Sequence, residues 1–240
     1  MFVAAPQRES VLDVLRASYP ELCEVAKLCA MSRGRAGLDG QDLRLRTPKR
    51  EYGLKLPLLG RQQLENAATA ILAVEQLASA GVMLTADAAH TALSSLRLPG
   101  RIEPVKRRPL ILVDIAEAPE AMRRLVDTLQ NDLGLRRPLV ILAAMRQADF
   151  PALAAPLAAL DPNLILARAP DGGMAEPMNL AQACLDAGLP MPRVEDLTAA
   201  VDEALAANPS ESACIAGPRA FVATARAYIL GLMPPNIHLV

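Results

Sequence analysis

Hydrophobic and polar positions along this chain change rhythm once, near residue 98, and the two stretches predict different structure. In the first, Val3–Ala5 is a short apolar run stopped by Pro6, the pattern of a buried strand end. From Glu9 to about Ala30 the apolar residues Val11, Leu12, Leu15, Leu22, Val25 and Leu28 recur at helical spacing, and Pro20 predicts a break or a division into two helices. A glycine-containing loop is expected at Arg33-Gly34-Arg35-Ala36-Gly37. Leu43-Arg44-Leu45-Arg46-Thr47 and Tyr52-Gly53-Leu54-Lys55-Leu56 then alternate apolar with polar around Pro48-Lys49-Arg50. Alternation on both sides of a turn predicts an antiparallel hairpin with one wet face. Gln62 to Ala80, rich in alanine and leucine and closed by Gly81, predicts a helix, and Thr85 can cap another running to about Leu96.

After Pro99-Gly100 the alternation disappears. Short, continuous apolar runs take its place at Leu110–Val113, Leu139–Ala143, Leu164–Ala167 and Ala213–Ala216. Helical stretches separate them, at about 119–132, 150–160, 177–187, 196–207 and 219–230. Strands apolar on both faces, alternating with helices, predict an α/β fold with a doubly wound, mostly parallel sheet. The boundary falls near Leu98–Arg101, dividing residues 1–98 from 99–240.

Composition supports a folded protein and narrows its partners. Of 240 residues, 52% are hydrophobic and 21% charged, with a formal net charge of -1. Near-neutral charge supplies no general attraction to nucleic acid or an anionic membrane. The basic runs Lys106-Arg107-Arg108, Arg123-Arg124 and Arg136-Arg137 lack interleaved aromatics for base stacking. Nucleic acid is therefore not expected as a partner. No run approaches about 18 apolar residues, so a membrane-spanning helix is not expected either. The first residues show neither a basic n-region nor a long apolar stretch. Cys23, Cys29, Cys184 and Cys214 form no CxxC pair, and the histidines are His90 and His238, which argues against a zinc site. Reduced thiols in a cytoplasm fit that pattern better than a disulfide framework.

Candidate chemistry gathers at strand and helix ends. In an open parallel sheet, ligands bind beyond the carboxyl ends of the strands, where Asp114 follows Leu110–Val113. There a carboxylate can hold a ribose hydroxyl or a metal-bound water, or it can simply cap the turn; position alone leaves the two readings even. Glu117, three residues on, reads as an acid satisfying the dipole of the helix that Pro119 opens. Arg101 follows a rigid-then-flexible Pro-Gly pair at the domain junction, and its planar fork suits phosphate. Alternatively it is an exposed hinge arginine. Gln63 and Asn66 share one face at a helix start, where their amides could read an adenine edge or face water. The 240 residues contain no GxxxxGK[ST] phosphate loop, GxGxxG, HExxH or GxSxG motif, and Gly172-Gly173 after Asp171 lacks phosphate-loop spacing. Cys184 and Cys214 read as small apolar packing groups, and His90 as a surface or boundary residue.

Several segments, in order, resemble the folylpolyglutamate and dihydrofolate synthases of the Mur ligase superfamily. The stretch Leu56-Pro57-Leu58-Leu59-Gly60-Arg61-Gln62-Gln63-Leu64-Glu65-Asn66-Ala67-Ala68-Thr69-Ala70 is similar to that family's LPLLGxHQxxNAATA block. Leu98-Pro99-Gly100-Arg101-Ile102-Glu103 resembles its PGRFE segment, and Ile111 to Glu120 stands in the place of its LDGAHNPE segment. Val3-Ala4-Ala5-Pro6-Gln7 and Ile215-Ala216-Gly217-Pro218-Arg219-Ala220-Phe221 resemble its SAPQ and TGSLYxV elements. The resemblance covers about residues 3–230, the C-terminal half of such an enzyme. It implies a Rossmann-like glutamate-ligase domain, preceded by a partial central domain with a hairpin and helices. The family joins glutamate to a folate carboxylate through an acyl phosphate made from ATP and magnesium. By resemblance, Gln63 and Asn66 would approach adenine, Arg101 the nucleotide phosphates, and Asp114 the ribose.

Departures from the family pattern are polar. Gln62 stands for its histidine, Glu117-Ala118 for its His-Asn pair, Gln147-Ala148-Asp149 for its DKD-like turn, and Pro218 for its serine. The family's phosphate loop, catalytic lysine and metal ligands belong to an N-terminal half with no counterpart in these residues. The resemblance therefore implies a catalytically silent relative with no catalytic residue or metal ligand of its own. ATP and magnesium are expected only alongside a complementing phosphate-loop domain. The alternative is a subunit or fragment of an ATP-dependent folate–glutamate ligase. The expected partner is a second copy, or a phosphate-loop ATPase domain, docking through residues 1–98.

Overall fold

A computed structural model describes residues 2–168 and 173–232, the side chain of Ser79 excepted. Asp171, Gly172 and His238 lie outside the described residues. The chain divides into two units, Met1–Arg97 and Leu98–Val240.

In the first unit the helical spacing after Glu9 resolves into shorter pieces. Helix α1 (Glu9–Ser18) stops before Pro20. Strand β2 (Leu22–Glu24) follows and pairs in parallel with β1 (Phe2–Ala4), so the break leads into a strand. Helix α2 (Val25–Leu28) is one turn long.

The expected hairpin forms from β4 (Gly40–Arg46) and β5 (Glu51–Leu56), paired antiparallel. Leu43, Leu45, Tyr52, Leu54 and Leu56 turn inward while Arg44, Arg46, Glu51 and Lys55 stay exposed. The alternation is the period of the pleat expressed as burial. The loop expected at Arg33–Gly37 is instead part of a third strand, β3 (Ala30–Gly37), antiparallel to β4. Its register shifts between Arg33 and Ala36, and this irregularity together with the edge position erases the alternating signature.

Helix α3 (Gln62–Gln76) lays Leu64, Ala67, Ala68, Ile71 and Leu72 into one cluster with the inward residues of β4 and β5. Each fully buried leucine there contributes about 1.5–3 kcal/mol. A 3-10 turn (Leu77–Ala80) ends at Gly81 with φ 83°. Helix α4 (Ala86–Ser94) is capped by the Thr85 hydroxyl, which accepts from the Ala88 amide at 3.1 Å.

The second unit contains the expected parallel sheet, enlarged by two strands. Strands β6 (Glu103–Arg107), β7 (Leu110–Asp114), β8 (Leu139–Leu142), β9 (Asn163–Arg168), β10 (Arg193–Asp196) and β11 (Ser212–Ala216) lie in the order β10-β9-β8-β11-β7-β6. Only β6 runs antiparallel to its neighbour. Helices α5 (Pro119–Asp127), α6 (Phe150–Ala154) and α7 (Pro177–Asp186) serve the steps from β7 through β10. Helix α8 (Leu197–Ala206) returns the chain across the sheet to β11, and α9 (Arg219–Ile229) follows. Ile111, Val113, Ile141, Ile165 and Ile215 form one core with Val201, Phe221 and Val222 of α8 and α9. Alternate strand residues, such as Leu112, Val140 and Leu166, are buried on the opposite face.

Candidate functional site

Beyond the carboxyl end of β7 the chain is tied tightly to its neighbours. The Asp114 backbone carbonyl accepts from the amides of Ala116 at 3.1 Å and Gly217 at 3.3 Å, and the Ala216 carbonyl accepts from Ala143 at 3.2 Å. Gly217 has φ 153°, and a Cβ there would lie 2.6 Å from the Ala143 carbonyl oxygen, so the chain can pass this close to Ala143 just beyond β11 and β8 because this residue is glycine.

Asp114 is 5% exposed. Its Oδ2 accepts from the Ile102 amide at 2.7 Å. Burial pushes its carboxyl up to about 6, against the opposing pull of that amide and of the Arg101 charge. Arg101 is exposed, and its Nη1 lies 3.5 Å from the Ile115 carbonyl. Glu103, which sequence reasoning did not single out, accepts from the Gly100 amide at 2.8 Å and is gripped by the Arg226 guanidinium at 2.8–3.0 Å. That grip and the amide hold its carboxyl below the usual range although burial opposes them. Glu117 does not serve the helix that follows it. Its Oε1 accepts from the Arg219 amide at 3.0 Å, so a carboxylate already occupies the start of α9.

In the first unit, Gln63 is buried at the start of α3 and Asn66 is exposed one turn on. The Asn66 amide donates to Gln63 Oε1 at 3.1 Å, so the two side chains meet on one helix face. Holding the approach to this helix is a residue the sequence reading missed. Gln41, 1% exposed, donates to the Leu58 and Gly60 carbonyls at 2.9 and 2.8 Å and accepts from Arg33 Nε at 2.8 Å. Its signal was present, since Gln41 shares the inward phase of Leu43 and Leu45. Glu75 was missed too. It is 3% exposed on the apolar face of α3 and accepts from Tyr52 at 2.6 Å and Thr47 at 2.9 Å through Oε1, while Oε2 has no partner.

Cys184 and Cys214 are fully buried, and burial raises both thiols, Cys184 to about 11, which suits packing and not nucleophilic attack. His90 is exposed. Among the described residues no cluster of histidine, cysteine, aspartate or glutamate could hold a metal ion.

Gln63 and Asn66 thus stand together in the first unit, and Arg101 and Asp114 in the second. Each pair supplies hydrogen-bonding or charged groups suited to a polar ligand, and neither holds a nucleophile or a proton-transfer pair.

Comparison with known proteins gives this arrangement its relatives. Residues 100–219 match the family model "Mur ligase, glutamate ligase domain". A dihydrofolate synthase/folylpolyglutamate synthase of Mycobacterium tuberculosis is 30% identical over 136 residues, which are 55% of this chain and 27% of that protein. A probable bifunctional folylpolyglutamate synthase/dihydropteroate synthase of Halobacterium salinarum is 33% identical over 178 residues, 72% of this chain and 21% of that protein. Among solved structures, M. tuberculosis folylpolyglutamate synthase complexed with ADP and AMPPCP overlays 97% of this chain on 55% of its own, with a TM-score of 0.81 and 24% identity. Folylpolyglutamate synthase of Thermotoga maritima overlays 96% on 54%, with a TM-score of 0.77 and 15% identity. The chain thus spans about half the length of these solved relatives and shares their fold. It belongs to the Mur ligase superfamily, with residues 100–219 as its glutamate ligase domain and its likeness falling on the C-terminal half of the folylpolyglutamate synthases.

Proposed function

We propose that these 240 residues are a folylpolyglutamate synthase-like protein that is silent as a ligase by itself and acts as a binding or partner subunit. One observation carries the reading: the sequence has no phosphate loop. Forming an acyl phosphate requires a cradle for the β- and γ-phosphates and a metal to neutralise the charge being moved. Two further observations support it. Glu117 fills the start of α9, the kind of helix end at which an anion would otherwise be bound. Asp114 is buried and engaged by the Ile102 amide, which leaves it little surface for a ribose.

A second reading is favoured by what the chain retains. Gln63, Asn66, Arg101 and Asp114 stand at positions similar to the family's nucleotide contacts, and the M. tuberculosis relative was solved with ADP and AMPPCP. On this reading the chain is a subunit or fragment of an ATP-dependent folate–glutamate ligase, with the phosphate loop supplied by another polypeptide segment. In either case the proposed partner, a second copy or a phosphate-loop ATPase domain, docks through residues 1–98. Exposed Phe2, Val11 and Val14, and the open groove of about 390 Å³ between β1 and α1, support that placement. The free cysteines suit a cytoplasmic setting.

Titration calorimetry of the purified chain with ADP and with ATP–magnesium, each with and without folate and glutamate, tests the proposal. Weak or no heat supports the silent reading, whereas tight ATP binding followed by ADP release defeats it.

A further inference from the structure

The turn that opens the second unit has a shape its own sequence does not favour. Gly100 has φ 72° and Ile102 φ 46°, so left-handed residues stand on both sides of Arg101. Glycine takes that conformation freely, but for a β-branched isoleucine it is a true outlier. Such a residue persists only where its surroundings over-determine it. The consequence is a division of side chains: Ile102 is buried, 2% exposed, and Arg101 beside it is exposed.

Five contacts hold this shape, the first being the Leu98 carbonyl, which accepts from the Arg101 amide at 3.2 Å. Asp114 Oδ2 accepts from the Ile102 amide at 2.7 Å, and Glu103 Oε2 accepts from the Gly100 amide at 2.8 Å. The Gly100 carbonyl accepts from the Ile115 amide at 2.9 Å, and Arg226 fixes Glu103 from α9. Of these, only the Asp114 contact acts on the strained residue itself. It also comes from a side chain buried at the end of β7.

We propose that Asp114 is a positioning residue for Arg101: its carboxylate holds the Ile102 amide and so maintains the strained turn that presents the Arg101 guanidinium to solvent. Glu103, clamped by Arg226, is the second hold on the same turn. This inference goes beyond the nucleotide reading and does not rest on it, because the pose of the turn is a property of the chain without ligand. It gives Asp114 work that a solvent-facing ribose contact would not need, and it explains why this acid is buried.

The test is amide hydrogen exchange by NMR on the whole 240-residue chain, with no nucleotide present. Wild type is compared with Asp114→Leu, which removes the acceptor, and Asp114→Asn, which keeps a carbonyl oxygen there. Val140 and Ile165 serve as fold references because both are buried in central strands. In Asp114→Leu the Ile102 amide should exchange about tenfold faster or more, the scale of a lost hydrogen bond to a charged group. Trypsin cleavage after Arg101 should rise with it while the references hold. In Asp114→Asn the Ile102 rate should stay within about threefold of wild type. Unchanged Ile102 exchange in Asp114→Leu with the references intact, or equal acceleration in both variants, would overturn the proposal. Should Asp114→Leu fail to fold, wild type alone decides. A through-hydrogen-bond coupling between the Ile102 amide nitrogen and the Asp114 carboxyl carbon supports the assignment, and its absence overturns it.

Discussion

Replacing Asp114 by asparagine should make the second unit more stable at neutral pH and remove part of its pH dependence. In the folded protein the Asp114 carboxyl ionises at about 6, against an ordinary value of 3.8. Burial is the dominant cause and favours the neutral acid, so the native state holds this proton more tightly than the unfolded chain does. Stability from this group is therefore fully present below pH 3.8 and is lost as the pH rises through 6. The gap of about two units corresponds to roughly 3 kcal/mol at 1.36 kcal/mol per unit. At 5% exposure, solvent screening removes little of it. Asparagine mimics the neutral acid and still offers a carbonyl oxygen to the Ile102 amide.

Other carboxylates pull the opposite way and must be subtracted. Glu24, Glu103, Glu120 and Glu203 are all held below their usual range by arginine or lysine partners, so each loses stabilisation as the pH falls. The informative quantity is the variant's stability minus that of wild type. It should grow by about 2 kcal/mol between pH 4 and pH 7, the part of the full span that falls inside that window. Urea unfolding followed by circular dichroism at half-unit pH steps measures it, with hydrogen exchange assigning the transition to the second unit. A difference that stays flat across that window, or that shrinks as pH rises, would show that burial does not raise this carboxyl.

Three further outcomes follow from the packing. Gly217→Ala should cost about 2–4 kcal/mol and lower the thermal midpoint, because the new Cβ meets the Ala143 carbonyl oxygen at 2.6 Å and φ is 153°. Gln41→Leu should destabilise the first unit by about 2–4 kcal/mol in urea unfolding, since it leaves the Leu58 and Gly60 carbonyls without their donor. Light scattering at high concentration should show a dimer, or a complex with a phosphate-loop domain when one is supplied, that Phe2→Ser with Val14→Ser weakens; a monomer under both conditions would contradict docking through residues 1–98.

How much of this was legible in the sequence depended on burial. The central strands β7, β8, β9 and β11 were visible because both of their faces are covered and their sequences are continuously apolar. The outer strands β6 and β10 were not. Glu-Pro-Val-Lys-Arg and Arg-Val-Glu-Asp lie at the two ends of the sheet, where polar residues and a proline are tolerated. Strand β2 is three residues long inside a stretch with helical spacing, too short for any period to register. At the candidate site, the position of Asp114 at a strand end could be read. Its partner could not, because an isoleucine in a left-handed turn has no local signature and is imposed by the residues around it. By sequence Glu117 belongs to its own helix, whereas its contact is 102 residues away, on α9. No local pattern carries that information.

On the proposed function, these residues do not transfer a γ-phosphoryl group to a carboxylate unaided. This is tested most directly by assaying the purified 240-residue chain for ADP release from ATP–magnesium in the presence of dihydropteroate or folate and glutamate. The expected rate is indistinguishable from the blank and rises only when a phosphate-loop domain is added. Folate-dependent ADP release accompanied by glutamyl product from this chain by itself would contradict it.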